Sequence, residues 1–208
     1  MITLFGTITS PFVRRVRVVC LEKGLPFALV DVLAAAGQEQ LAALSPIAKV
    51  PVVRFDDGRV VFDSRVIIDE LCHADRGGAA PLRAPAIDVR GRVDEENAVN
   101  LVDEGLLSLI RLFYLKRDGA DLQVAYLRKE QARAHNVFQY LNDNLSGQYL
   151  TTKNAADGGF GRPELALVTA LDWMRFRKTF DLATTPRLQA FLEHWTTRAS
   201  LQQTPPDP

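Results

Sequence analysis

Three short fragments in the first third of the chain carry residues that could hold an anion or a zwitterion. Ser10-Pro11-Phe12 is a helix start: serine can accept from a free backbone amide, and proline at the first helical position lacks only an N–H that would have gone unpaired. The same helix mouth presents unpaired amides and the positive end of the dipole, so hydroxyl and amides together suit an anion. Val50-Pro51 opens an apolar run. Proline has no donor to give a ladder, so it belongs at the exposed end of a strand. If that peptide bond were cis, the Val50 backbone would be offered to an extended ligand. Asp63-Ser64 stands between an apolar run and a helical pattern. Its carboxylate would accept from a ligand ammonium, while the helix that Ser64 caps would take a ligand carboxylate, so a free amino-acid end fits both. Taken singly, each fragment reads first as an ordinary cap or turn.

The elements around these fragments follow from periodicity. Leu4 and Phe5 form a short strand stopped by Gly6, and Val13, Val16, Cys20 and Leu21 recur at helical spacing up to Lys23-Gly24. Pro26 introduces a second strand over 27–33, and an Ala- and Gln-rich helix follows over 37–44. Residues 50–55 and 60–62 make a hairpin across Asp57-Gly58, and a helix runs from Ser64 to about Ala74. Gly and Pro punctuate 77–86, the expected linker. Beyond it strands vanish, and 87–117, 121–145, 163–178 and 186–199 read as amphipathic helices. The expected domains are therefore 1–76 and 87–208.

Composition narrows the function. The chain has 208 residues, 47% hydrophobic and 24% charged, with 25 basic residues against 25 acidic. Nine of each sign fall in 1–80, so neither part has the basic excess that phosphate neutralisation needs, and nucleic acid is not an expected partner. No uncharged apolar run approaches the ~20 residues that span a bilayer, and the first residues lack a charged leader pattern. Two cysteines and three scattered histidines give no disulfide framework and no metal-ligand spacing. A cytoplasmic protein with no metal and no membrane partner is expected.

The order of these elements, with Ser-Pro-Phe after the first strand, Val-Pro before the third and Asp-Ser before the third helix, resembles the glutathione transferase family. The longer matching stretches are 10–17 (SPFVRRVR), 44–53 (LSPIAKVPVV) and 62–71 (FDSRVIIDEL). The resemblance covers essentially the whole chain. It implies an α/β thioredoxin-like N-terminal domain of βαβ-α-ββα order, followed by an all-α C-terminal domain. It also implies glutathione as co-substrate, a hydrophobic electrophile and a homodimer. By position, Ser10 matches the catalytic serine of the serine-type classes, and Val50 matches the residue before the cis-proline, Pro51, whose backbone pairs with the cysteinyl part of glutathione. Asp63 and Ser64 match the pair that grips the γ-glutamyl end, Lys49 lies where a basic side chain approaches the glycyl carboxylate, and Phe12 lines the helix mouth. Asp63 departs from the Glu or Gln more usual there. Gly161-Arg162-Pro163-Glu164 stands where the family has a hydroxyl-containing helix cap.

The resemblance implies that Ser10 stabilises the glutathione thiolate, which attacks an electrophile or reduces a peroxide. A fold that binds without turnover is the alternative. A glutaredoxin-like reductase would want cysteine at position 10, and a zeta-like isomerase would want Ser-Ser-Cys where this chain has Ser10-Pro11-Phe12. Cys20 and Cys72 are expected to pack, and the histidines to lie on helix surfaces or in satisfied sites. Phe113 and Tyr114 read as core that could border an electrophile pocket. Arg14, Arg15 and Arg17 are expected on an exposed or interdomain helix face, and Asp94-Glu95-Glu96 on a solvated turn.

Overall fold

In a computed structural model, the described residues are 1–73, 82–84, 86, 88–145, 150 and 159–206. They form two compact units, Met1–Arg83 together with Thr196–Pro208, and Ala84–Trp195. The expected linker lies mostly outside the described residues. The expected helical domain extends to residue 208, whereas residues 196–208 group with the first unit.

The first unit runs β1 (Ile2–Gly6), α1 (Pro11–Lys23), β2 (Phe27–Asp31), α2 (Ala35–Leu44), β3 (Val52–Arg54), β4 (Val60–Phe62) and α3 (Ser64–His73). This is the expected thioredoxin-like order. The sheet order is β2-β1-β3-β4; β1 pairs parallel with β2, and β3 pairs antiparallel with β1 and β4. The second strand ends at Asp31 rather than residue 33, and the third begins at Val52 because Pro51 cannot donate to the ladder. Phe5, Val32, Leu41 and Val52 make one buried cluster. Val13, Val16, Ile67 and Leu71 are fully buried, and α1 packs against α3. Two glycines set these distances. A Cβ on Gly6 would collide with both γ-methyls of Val13, and one on Gly37 would strike the Asp31 carbonyl. Gly6 therefore lets α1 begin close against the end of β1.

Of the two expectations for Arg14 and Arg15, an exposed or an interdomain face, the exposed one fails, each being 2% exposed. Arg14 donates from Nη2 to the Leu201 carbonyl at 3.1 Å and from Nε to Thr204 Oγ1 at 3.4 Å. On the same helix Glu22 accepts from Arg198 at 2.6 and 2.8 Å and from the Ser200 hydroxyl. A buried arginine and a carboxylate on α1 thus tie down α8 (Ala199–Gln202), a short helix in place of the continuous one expected over 186–199. Burial, then the Arg14 charge, lowers the Arg17 guanidinium.

The second unit comprises α4 (Val89–Arg117), α5 (Ala125–Asn144), α6 (Arg162–Arg177), a 3-10 turn at Leu182–Thr184 and α7 (Pro186–Trp195). Helix α6 is buried along Pro163–Met174. Its missing hydroxyl cap is offset by Glu164, which accepts from the Gly161 N–H at 3.0 Å and the Leu150 N–H at 3.2 Å. Between α4 and α5 the fully buried Glu130 accepts from Ser108 and Arg111, each at 2.9 Å, and from Arg133. Glu95 is buried rather than solvated and accepts from the Ala86 N–H at 3.2 Å.

Burial alone would raise the Glu22 carboxyl, but hydrogen bonds from Arg198 and Ser200 and the Arg198 charge outweigh it and hold it below the usual carboxylate range. Its folded pKa being depressed, the stability it contributes is complete above the unfolded carboxylate range and is lost as pH falls through the folded value. Glu22→Gln should lose about 1–2 kcal/mol at pH 7 by urea unfolding. The gap from wild type should narrow as acid protonates Glu22.

Candidate functional site

The strand register brings the three fragments together. Across β1–β3, Phe5 faces Val52, and across β3–β4, Val52 faces Phe62. The row Phe5–Val52–Phe62 therefore marks one end of the sheet, where β1 finishes, β3 starts and β4 finishes. Pro51 and Asp63 each lie one residue beyond that row and Ser10 lies five. Ser10, Val50-Pro51 and Asp63-Ser64 emerge at this shared end.

Ser10 is the N-cap of α1, with extended backbone at φ −77° and ψ 124°. Its Oγ accepts from the Val13 N–H at 3.3 Å, and its own N–H donates to the Thr7 carbonyl at 3.2 Å. Capping uses one acceptor lone pair. The hydroxyl proton stays available, so the same serine can cap the helix and donate to an anion. Pro11 is the first helical residue and the first turn holds no acidic side chain, so no carboxylate opposes an anion at this dipole end. Phe12 is half-buried beneath the Arg15 guanidinium, 4.8 Å from the ring centroid.

The Val50–Pro51 peptide is cis. Val50 stands outside the ladder, which begins at Val52, and Lys49 is exposed in the preceding loop. That loop turns through Ala48, whose φ of 46° is left-handed, with the Ala48 N–H on the Ser45 carbonyl at 3.1 Å. The Ser45 hydroxyl is buried and without a partner among the described residues.

The cap of α3 is Asp63, a correction to the expectation that Ser64 would serve. The Asp63 carbonyl accepts from the Ile67 N–H at 3.0 Å, and its Oδ1 accepts from the Arg65 N–H at 2.8 Å. Ser64 is the first helical residue and is buried. Asp63 itself is exposed and holds φ 74°, a conformation that Asn and Asp tolerate better than other side-chain-bearing residues. Left-handed residues at Ala48 and Asp63 thus flank the sheet end. Such conformations gather at functional sites, but composition and periodicity carry no signal for them. The shorter carboxylate at position 63 spends one oxygen on its own helix.

The remaining candidates lie elsewhere. Cys20 is fully buried on α1, and burial pushes its thiol up to about 12. His73 ends α3, His135 lies beside Phe180, and His194 meets Trp195 edge-on. Phe113 packs edge-on against Tyr114 and Trp173. Among the described residues, no cluster of His, Cys, Asp or Glu could hold a metal ion, and no helix is long and apolar enough to cross a membrane.

Residues 4–79 match the family model for the glutathione S-transferase N-terminal domain. The first unit therefore carries a domain of the glutathione S-transferase N-terminal type. It is 27% identical over 205 residues to the uncharacterised glutathione-transferase-like protein YibF of Escherichia coli (strain K12), covering 98% of each chain. A glutathione S-transferase of Methylobacillus flagellatus, solved with glutathione bound, superposes with a TM-score of 0.82 at 24% identity, covering 98% of each chain. A glutathione transferase family member of Pseudomonas fluorescens, also with bound glutathione, gives 0.81 at 23% identity over the whole of both chains. These structural likenesses establish the transferase fold, a thioredoxin-like domain followed by helices.

Two outcomes test this geometry. Asp63→Ala should lose about 1–3 kcal/mol by urea unfolding, from the left-handed backbone and the lost cap together, while Asp63→Asn should stay within about 0.5 kcal/mol of wild type. With its thiol at about 12, Cys20 should resist a thiol-specific reagent at pH 8 until denaturant unfolds the chain.

Proposed function

We propose that the chain is a glutathione transferase that binds reduced glutathione at the shared sheet end of its first unit. The observation that carries the reading is the convergence of Ser10, Val50-Pro51 and Asp63-Ser64 there, with the Ser10 hydroxyl still able to donate. Glutathione bound to the Methylobacillus and Pseudomonas proteins supports it by fold.

In this reading the Val50 backbone pairs with the cysteinyl part of glutathione and Pro51 shapes the approach. The Asp63 carboxylate takes the γ-glutamyl ammonium, and Ser64 with the start of α3 takes its carboxylate. Lys49 approaches the glycyl carboxylate, and Phe12 borders the sulfur. Ser10 acts as catalytic anion stabiliser rather than nucleophile. A free thiol has a pKa of about 8.5, and lowering it by two units requires about 2.7 kcal/mol of preferential anion stabilisation. A hydrogen bond to a charged group contributes about 1.5–3 kcal/mol and a helix N-terminus about 0.3–1. Ser10 and α1 together match the requirement. The thiol proton leaves to solvent, and the thiolate attacks an electrophilic carbon with loss of its leaving group. Alternatively it attacks a peroxide oxygen, and the O–O bond breaks to release an alcohol. A second glutathione then converts the resulting sulfenic acid to glutathione disulfide and water. A cytoplasmic homodimer acting on a hydrophobic electrophile completes the proposal.

Calorimetry in buffers of different ionisation enthalpy tests it. At pH 7 wild type should release a large fraction of one proton per glutathione bound, and none with S-methylglutathione. Ser10→Ala should keep S-methylglutathione affinity within about twofold while losing most of the proton release. Asp63→Asn should weaken both ligands about tenfold or more. Binding without proton release in wild type would favour the non-catalytic alternative, and no binding at all would reject the site.

A further inference from the structure

We propose that Arg17 selects the second substrate, an electrophile whose otherwise hydrophobic body carries a carboxylate. The inference rests on the glutathione reading and narrows it, since that reading leaves the chemical class of the electrophile open. A contrast along α1 carries it. Arg14 donates to the Leu201 carbonyl and Thr204 Oγ1, and the Arg15 guanidinium lies over the Phe12 ring. Glu22 accepts from Arg198 and Ser200, and Lys23 Nζ donates to the Leu71 carbonyl at 2.8 Å. Every other charged residue of the helix therefore has a partner. Arg17 is half-buried, its Nη1 is buried without a hydrogen bond, and no carboxylate pairs with it among the described residues.

The sequence of α1 explains why. The neighbours of Arg17 at helical spacing are Val13, Arg14, Cys20 and Leu21, none of them acidic, so no ion pair within the helix is available. Arg17 also stands mid-helix, where the dipole does nothing for a cation. Burial and the nearby Arg14 charge both act against its protonated form. A half-buried guanidinium with an unmet donor is unfavourable in the folded chain, and perturbed charges of this kind cluster at functional sites.

Position says which ligand would supply the missing acceptor. Arg17 follows Ser10 by two helical turns, about 10 Å of axis, so the two stand on one face of α1. Long side chains on a helix lean toward its N-terminus, which here is the end where the thiolate would lie. Glutathione itself is already provided for: Asp63 takes its ammonium, while Ser64 with the start of α3 and Lys49 take its two carboxylates. Arg17 is thus left for the electrophile. A guanidinium offers paired N–H donors that fit one carboxylate, and a wholly apolar electrophile would leave them unmet. With its carboxylate on Arg17, a substrate would hold an electrophilic carbon a few bonds nearer the sulfur.

Calorimetry of the full chain with S-substituted glutathiones is the test. The probes are S-(2-carboxyethyl)glutathione and S-(4-carboxybutyl)glutathione, each beside its primary amide, with S-methylglutathione as reference. Wild type should bind at least one acid about tenfold or more tighter than its amide, and the gap should shrink in salt. Arg17→Gln should erase that preference and keep S-methylglutathione affinity within about twofold. Arg17→Lys keeps the charge without the planar fork, so it should cut the preference about threefold or more, and it decides the matter if Arg17→Gln does not fold. Equal affinity for acid and amide in wild type that binds S-methylglutathione would overturn the proposal and leave the glutathione reading standing. An undiminished preference in either folded variant would overturn it as well. Failure of wild type to bind S-methylglutathione would instead overturn the glutathione reading, and this proposal with it.

Discussion

A single row across the sheet, Phe5 beside Val52 beside Phe62, ties together parts of the chain more than fifty residues apart. Backbone hydrogen bonds hold that row. Leu4, Phe5, Val52 and Val53 are all completely buried, so β1 and β3 are covered on both faces. The fragments proposed to bind glutathione all emerge at this end of the sheet. The turn to Ser10, the cis bond before Pro51 and the left-handed Asp63 are local events, and each acquires meaning from the register that aligns them.

Helix α1 is the second fixed part, and it is held at both ends by different forces. At its start, Gly6 admits Val13 against the last residue of β1, which seats the positive end of the helix at the sheet end. Along its length, buried Arg14 and partly exposed Glu22 grip Leu201, Thr204, Arg198 and Ser200. These hydrogen bonds satisfy a guanidinium that could not otherwise be buried. A helix that stabilises an anion must not rotate or fray as charge develops, because pre-oriented dipoles stabilise charge without reorganisation. The C-terminal segment thus anchors α1 through Arg14 and Glu22.

Much of this was legible in the sequence because the signals were local. Ser10-Pro11 and Lys23-Gly24 bounded α1 to the residue, and Asp57-Gly58 marked the hairpin. The resemblance to the transferase family rested on three separated fragments that matched in order, none of them specific alone. What escaped were features set by tertiary contact. Whether Arg14 and Arg15 lay on an exposed or a covered face stayed open, because periodicity cannot show that residues 201 and 204 return to Arg14. Glu95 looked solvated for the same reason. Asp63 rather than Ser64 caps α3 because the backbone enters the helix with positive φ, which residue type alone does not reveal. The second unit yielded its helices to periodicity, but not the buried Glu130 that joins Ser108 and Arg111 across α4 and α5.

The most direct test of the account is an ultraviolet titration of reduced glutathione against pH in the presence of the purified protein. If α1 and Ser10 stabilise the thiolate, its absorbance should appear about two units below that of free glutathione. Absorbance that follows free glutathione, under conditions where calorimetry shows the tripeptide bound, would contradict the account.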